Sequence, residues 1–459
     1  MIPWASGVNR AGRLRAGLLA VLLVLLGLAS AAWAAGRPAT FEGVASCAGS
    51  TCHGRAEGNG KVVRQDELAH WQDPASPGGA HSRALAVLNG RRGQQIAASL
   101  GLGNAASAPA CLGCHATNAP AALRGERYQQ GDGVGCESCH GPSGGWIASH
   151  YTMAGSHAAN VAAGLVPLEN PRVRAGVCLD CHFGSGQPGQ FVTHQMMAAG
   201  HPRISFELDL FSALQQHHDE DADYRQRKGR TDSVRLWAVG QAEAVRRSLT
   251  LFAQPRFAAQ GIFPEFTFYD CHSCHRTIED GPERKLTFEV NPARPQPFGT
   301  PPYNDENMIL LSAAARVLAP AQAAPFDAAA RAFHAAMGQG RPQAVAAGNR
   351  LAAAAGALSA ALSAGTYSAD SAFHVIATIS GTAISPRFTD YTGSVQAVMA
   401  VDTLLNALVR EGRITVGAAA GIRADVNRAY AAVKAPNAYS PPAFRAALGS
   451  AARSVEALR

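Results

Sequence analysis

Apolar positions recur at helical intervals along much of the chain. Over 233–253, Val234, Trp237, Ala238, Val245, Leu249 and Phe252 fall on one stripe, with Asp232 or Ser233 available as an N-cap. Positions 82–100 carry the same spacing less cleanly. After a Pro-rich run (Pro292, Pro295, Pro297, Pro301, Pro302) the chain turns Ala-rich, and the pattern predicts helices over 307–317, 325–337, 342–363, 394–410, 416–433 and 443–458. The expected fold is mainly α. Residues 35–300 should hold short helices among loops with little strand, and residues 301–459 a bundle of four to six helices. Gly141-Pro142, Gly144-Gly145 and Gly184 mark loops in the first part.

The N-terminus has a different pattern. Arg10, Arg13 and Arg15 precede an apolar core over 18–28, and Ala32-Trp33-Ala34 offers a small-x-small cleavage site. Residues 1–34 therefore have the form of a signal peptide, and the mature chain is expected in the periplasm. The alternative is an uncleaved anchor, because apolar or small residues run from Ala16 to Ala35. The Leu-rich core is shorter than the roughly 20 residues a bilayer span needs. No later stretch is expected to span.

Composition adds modest bounds. Length 459 suits two or three domains, and 47% apolar residues suit a folded chain. Gly 47 and Pro 26 imply much loop. The formal charge of +7 falls by three once the leader is set aside. No Lys/Arg block stands out, which argues against a nucleic-acid partner or a polybasic membrane contact.

The ten cysteines carry the chemistry. Cys111-x-x-Cys114-His115, Cys136-x-x-Cys139-His140, Cys178-x-x-Cys181-His182 and Cys271-x-x-Cys274-His275 are four copies of the c-type haem attachment pattern. Cys47 and Cys52-His53 make a fifth copy with four residues between the cysteines. No cysteine is left over. Each pair of thiols would form thioethers with one haem, and the following His would ligate its iron. Zinc knuckles do not need a His directly after each pair. Disulfides, the default for an exported chain, do not explain the spacing. Five covalently attached c-type haems are expected, with His53, His115, His140, His182 and His275 as proximal ligands. Their propionates would bring the holoprotein close to neutral.

A low-spin electron-transfer haem needs a second strong ligand. His81, His150, His194 and His201 are the leading distal candidates, and His157 is the fifth. His217 and His218 precede the acidic run Asp219, Glu220, Asp221, which suits a solvated face. His272 lies inside an attachment loop, and His70 abuts Trp71. His334 and His374 fall far downstream. If only four distal ligands exist, one haem is five-coordinate and open to a small ligand.

Three stretches carry a family resemblance. They are Ala80-His81-Ser82-Arg83-Ala84 ahead of the Cys111 motif, Gly133 to Pro142 around the Cys136 motif, and the Cys178 motif followed by His194 and Gly200-His201-Pro202. Over roughly residues 40–290 the chain resembles the multihaem cytochromes c of the cytochrome c-554-like group. The resemblance implies a helical, haem-packed domain shuttling electrons in a respiratory or nitrogen-cycle chain between redox protein partners. It implies His53, His115, His140, His182 and His275 as proximal ligands and His81, His150, His194 and His201 as distal ones. The family type has four haems, and the C-terminal helices have no counterpart in it. Peripheral membrane association and oligomeric state stay open. The alternative function is a multihaem oxidoreductase acting on a small nitrogen or sulfur compound at one five-coordinate haem. It rests on analogy with pentahaem nitrite reductases and octahaem hydroxylamine oxidoreductases. No Cys-x-x-Cys-Lys motif is present, and Glu137, Tyr269 and Asp270 are its candidate proton donors. A third reading is a haem-bearing scaffold whose helical part recruits a partner.

Overall fold

The structure, a computed structural model, describes residues 39–56, 65–152, 155–217, 220, 222–258, 263–275, 294–295, 300–385 and 391–459. The leader over 1–34, His218, Pro292 and Pro297 lie outside these residues. The described chain is mainly α, with no strand and two isolated β-bridges, Phe41–Arg124 and Tyr269–Tyr303.

The main helices are α1 (Pro171–His182), α2 (Ser233–Phe252), α3 (Glu306–Leu318), α4 (Pro320–Ala336), α5 (Arg341–Ala364), α6 (Ala369–Ala383), α7 (Tyr391–Arg410), α8 (Arg423–Ala432) and α9 (Pro441–Glu456). Asp232 caps α2, its Oδ1 accepting from the Arg235 N–H at 2.9 Å. Positions 82–100 do not form one helix. A 3-10 turn, Ala86–Asn89, ends at Gly90, and a helix, Arg91–Ser99, begins after it. The pattern over 369–383 gave no expected helix, yet α6 forms there, because its β-branched residues are buried by neighbouring helices. The helix expected over 416–433 is two, Val416–Gly421 and α8, parted at Ile422.

α2 is buried almost all round and packs on α5, α3 and α1. Two of its buried polar side chains are satisfied by those neighbours. Glu243 accepts from Arg172 of α1 at 3.1 Å and from Ser359 of α5 at 2.6 Å, and Gln241 accepts from Asn307 of α3 at 2.7 Å. One apolar core runs from Val234 through Leu311, Phe333, Leu351 and Leu404 to Val455. It crosses the division expected at residue 300. The haem-motif region holds only two small apolar clusters among the described residues, one around Leu88 and Leu112 and one around Leu179 and Phe206.

Two helices correct the expectation that nothing after the leader is apolar enough to span. Arg341–Ala364 and Tyr391–Arg410 are long and apolar enough by length and composition, with 39% and 78% of the relevant stretch buried. Both contribute residues to the bundle core.

Candidate metal centres

Most attachment motifs finish a short helix. Pro109–His115, Glu137–His140 and Pro171–His182 each end on the motif histidine. Cysteines three apart then share a face, and the histidine follows one residue on. A backbone bond from the histidine N–H to the first cysteine's carbonyl closes the loop: His140 to Cys136 at 2.9 Å and His275 to Cys271 at 2.8 Å. The longer motif keeps this bond, His53 to Cys47 at 3.1 Å, so its two extra residues bulge without moving the histidine. Close packing also demands glycine. A Cβ on Gly113 would meet the Gly189 carbonyl oxygen at 2.5 Å, and Gly141, directly after His140, has φ +81°.

The five motif histidines each face one other histidine. Ring centroids are 6.1 Å apart for His53 and His150, 6.1 Å for His81 and His182, 6.4 Å for His115 and His201, 6.2 Å for His140 and His217, and 6.1 Å for His194 and His275. The ring planes cross at 19°, 67°, 86°, 89° and 34° in the same order. Two imidazoles on one metal, each bonded at about 2.0 Å, would hold their centroids roughly 6.2 Å apart. Among the described residues no cluster of three or more His, Cys, Asp or Glu could hold a bare metal ion. Paired imidazoles beside paired thiols, with no further protein donors, fit a macrocycle that brings its own four nitrogens. The chain's residues therefore fit c-type haem.

Several of these rings have the second nitrogen occupied, whereas the buried Nδ1 of His182 has no partner. Nδ1 of His53 donates to Glu67 at 2.9 Å, of His115 to the Ala84 carbonyl at 2.7 Å, of His201 to the Pro202 carbonyl at 2.8 Å and of His217 to the Gln215 carbonyl at 2.7 Å. This leaves Nε2 toward the gap. Burial pulls the His182 ring down to about 4, helped by His81, and lowers His81, His150 and His201 as well. A neutral imidazole is the ligating form. His53 is raised instead, by its bond to Glu67. Burial pushes the Cys139 thiol up to about 12 and Cys178 to about 11.

The sites adjoin one another out of chain order. Cys47 and Cys136 are hydrogen-bond neighbours, and so are Cys114 and Cys181; each contact raises the first thiol of its pair. Cys139 lies close enough to Cys178 and Cys181 to feel their charge. By attachment motif, the order in space is first, third, fourth, second. A cleft beside the fourth motif is lined by Cys181, His182, Met197, Arg203, Thr267 and Glu306, and Arg203 reaches from it to the Cys271 sulfur of the fifth.

With this geometry in view, one comparison bears on the family of the N-terminal part. Residues 46–141 match the family model for cytochrome c554 and c-prime. The matched span includes the first three motifs and His81, so a c-type cytochrome with covalently bound haem is supported. The match stops short of the fourth and fifth motifs and the bundle. No curated protein and no solved structure matches the chain.

Two histidines differ from expectation. His157, expected as a distal ligand, turns its Nε2 to Glu169 at 2.6 Å and is not among the facing pairs. His217, expected on a solvated face, stands opposite His140. The remaining distal candidates, His81, His150, His194 and His201, each face a motif histidine. His70 pairs with Asp66, His272 donates to the Pro436 carbonyl at 3.0 Å, and His334 pairs with Asp305 at 3.2 Å.

Of the candidate proton donors, the Glu137 and Asp270 side chains have structural partners, and Tyr269 is tied in by its main chain. Glu137, 5% exposed, accepts the backbone N–H groups of Glu42, Gly43 and Ser143 at 2.7–2.8 Å. Asp270 caps the turn at Ser273. Tyr269 forms the bridge with Tyr303.

Proposed function

We propose that the chain is an exported multihaem cytochrome that carries electrons through five covalently bound haems, in a respiratory or nitrogen-cycle chain, between a protein donor and a protein acceptor. The observation that carries this reading is the pairing of every motif histidine with a second histidine at 6.1–6.4 Å. Bound haem would supply a one-electron Fe(III)/Fe(II) couple at each site.

The chain's own residues hold, space and shield those sites. Five cysteine pairs, Cys47/Cys52, Cys111/Cys114, Cys136/Cys139, Cys178/Cys181 and Cys271/Cys274, would anchor the rings. The adjacency of the Cys47, Cys136, Cys181 and Cys114 thiols keeps neighbouring rings close enough for electrons to pass directly. Phe206 and Phe211 pack on the His182 ring at 6.1 and 4.9 Å and exclude water from the middle of the array. At its edges Cys274 is exposed and Phe266, 48% exposed, rests on His194, so a partner can approach the fifth site.

Two ligands at each iron favour carriage over the alternative of an oxidoreductase with one open haem. The small apolar clusters in the motif region agree, since five rings would complete that core. Intact mass and anaerobic reductive titration of the purified holoprotein test the reading. Five haem masses per chain and uptake of five electrons are expected. Fewer haems, or cysteines that titrate as free thiols, would contradict it.

A further inference from the structure

The fifth attachment site is built by two parts of the chain that lie far apart in sequence. The segment carrying Cys271 is hydrogen-bonded to the residues that lead into α3: Asp270 N–H to the Pro302 carbonyl at 2.9 Å, and Asn304 N–H to the Phe268 carbonyl at 2.7 Å. Asn304 in turn accepts from Thr392 of α7 at 2.7 Å. On the other side of the loop, His272 donates to the Pro436 carbonyl and its ring meets Tyr439 at 5.0 Å. The helical bundle thus forms one wall of this site.

A charged pair joins the motif region to that wall. Arg203 follows His201 by two residues and lines the cleft beside the fourth motif. Its Nη1 is 3.1 Å from the Cys271 sulfur and its Nη2 donates to Glu306 of α3 at 2.8 Å. The Arg203 side chain is 24% exposed and that of Glu306 6%. When Cys271 becomes a thioether, its sulfur is bonded directly to the macrocycle. A guanidinium in contact with that sulfur is therefore in contact with the ring's edge, and the carboxylate stands behind it. Charge near the site and burial are the levers that set a haem's potential, and water screens a half-buried charge less than one free in solution.

We propose that Arg203 is a positioning residue of the fifth site, anchored by Glu306 of the bundle, and that its fixed positive charge raises the reduction potential of the haem held by Cys271, Cys274 and His275. This rests on the five-haem reading above. It gives the bundle a part in electron flow, since Glu306 then helps set the energy of one terminal carrier relative to the others.

The test is potentiometric titration of the holoprotein with Arg203→Met, Arg203→Lys and Glu306→Gln, after intact mass has counted the haems. Electrostatics predicts opposite signs. Arg203→Met should lower one midpoint, by tenfold or more in that site's reduction equilibrium, which is 59 mV for a one-electron couple. Glu306→Gln should raise the same midpoint, and Arg203→Lys should restore it toward the wild-type value. Shifts of the same sign in Arg203→Met and Glu306→Gln, or no shift in either, with five haems retained, would overturn the proposal and leave the five-haem reading standing. If Arg203→Met does not accumulate, Glu306→Gln alone decides by the sign of its shift. Fewer than five haems in the unsubstituted protein would overturn both.

Discussion

An imidazole presents one nitrogen to a metal most reliably when the other is engaged. In this chain that engagement is local for His217, which bonds the carbonyl two residues back, and His201, the carbonyl one residue on, while His53 bonds a carboxylate on the helix that comes after it and His115 the distant Ala84 carbonyl. The same logic explains why His157 stays out. Its Nε2 is held by Glu169, so the nitrogen that would point to iron is spent on a hydrogen bond at the surface. Replacing His217 with Ala should leave the His140 iron with one protein ligand, giving one high-spin site among five, while His157→Ala should leave the optical and paramagnetic spectra unchanged. Spectra of the two ferric holoproteins check this, and a spectrum disturbed by His157→Ala alone would contradict the pairing. The motif histidines were legible in the sequence because each is tied to its cysteines by spacing. The distal ones are tied by tertiary approach. His81, His150, His194 and His201 were the leading candidates in the sequence and each faces a motif histidine, whereas His217 was hidden by the acidic residues beside it.

At the scale of elements, the attachment helices are too short to stand alone. They are held by side chains that satisfy the backbone of distant segments. Glu137 is the clearest case. Between the two cysteines of the third motif, it gathers the N–H groups of Glu42 and Gly43, just before the first motif, and of Ser143 after the third. It thereby locks the first and third motifs together. Glu137→Ala would leave three inward-facing donors without their acceptor, and at roughly 1–3 kcal/mol for each such group the loss should be at least about 3 kcal/mol. Denaturant unfolding of the holoprotein measures it; a loss under about 1 kcal/mol would mean the donors find water. The periodic pattern made α2, α3, α5, α7 and α9 legible to within a few residues. It failed at α6, where Val375, Ile376 and Ile379 oppose local helix propensity but are buried by the bundle. It also failed at 82–100, where Gly90 interrupts a run that otherwise looks continuous.

At the scale of the whole molecule, the Pro-rich stretch near residue 300 marks a change of composition and not a break in the core. α2 precedes it in the chain and yet is the central helix of the C-terminal bundle, so motif region and bundle are joined through Glu243, Arg203 and the 302–306 segment. Composition could not reveal this, because apolar stripes state what is buried and not against what. Across the array, the sites form a connected series: the first, third, fourth and second motifs through neighbouring thiols, and the fifth through Arg203, which lines the cleft beside the fourth and reaches Cys271. All of it depends on every iron having two histidines. The most direct measurement is electron paramagnetic resonance of the fully oxidised holoprotein, with and without cyanide. Two histidines at every iron should give low-spin signals only, unmoved by cyanide. The near-perpendicular pairs at His115/His201 and His140/His217 should give strongly anisotropic signals, and the near-parallel pair at His53/His150 a rhombic one. A high-spin signal that cyanide converts to low spin would show an open iron and contradict the pairing.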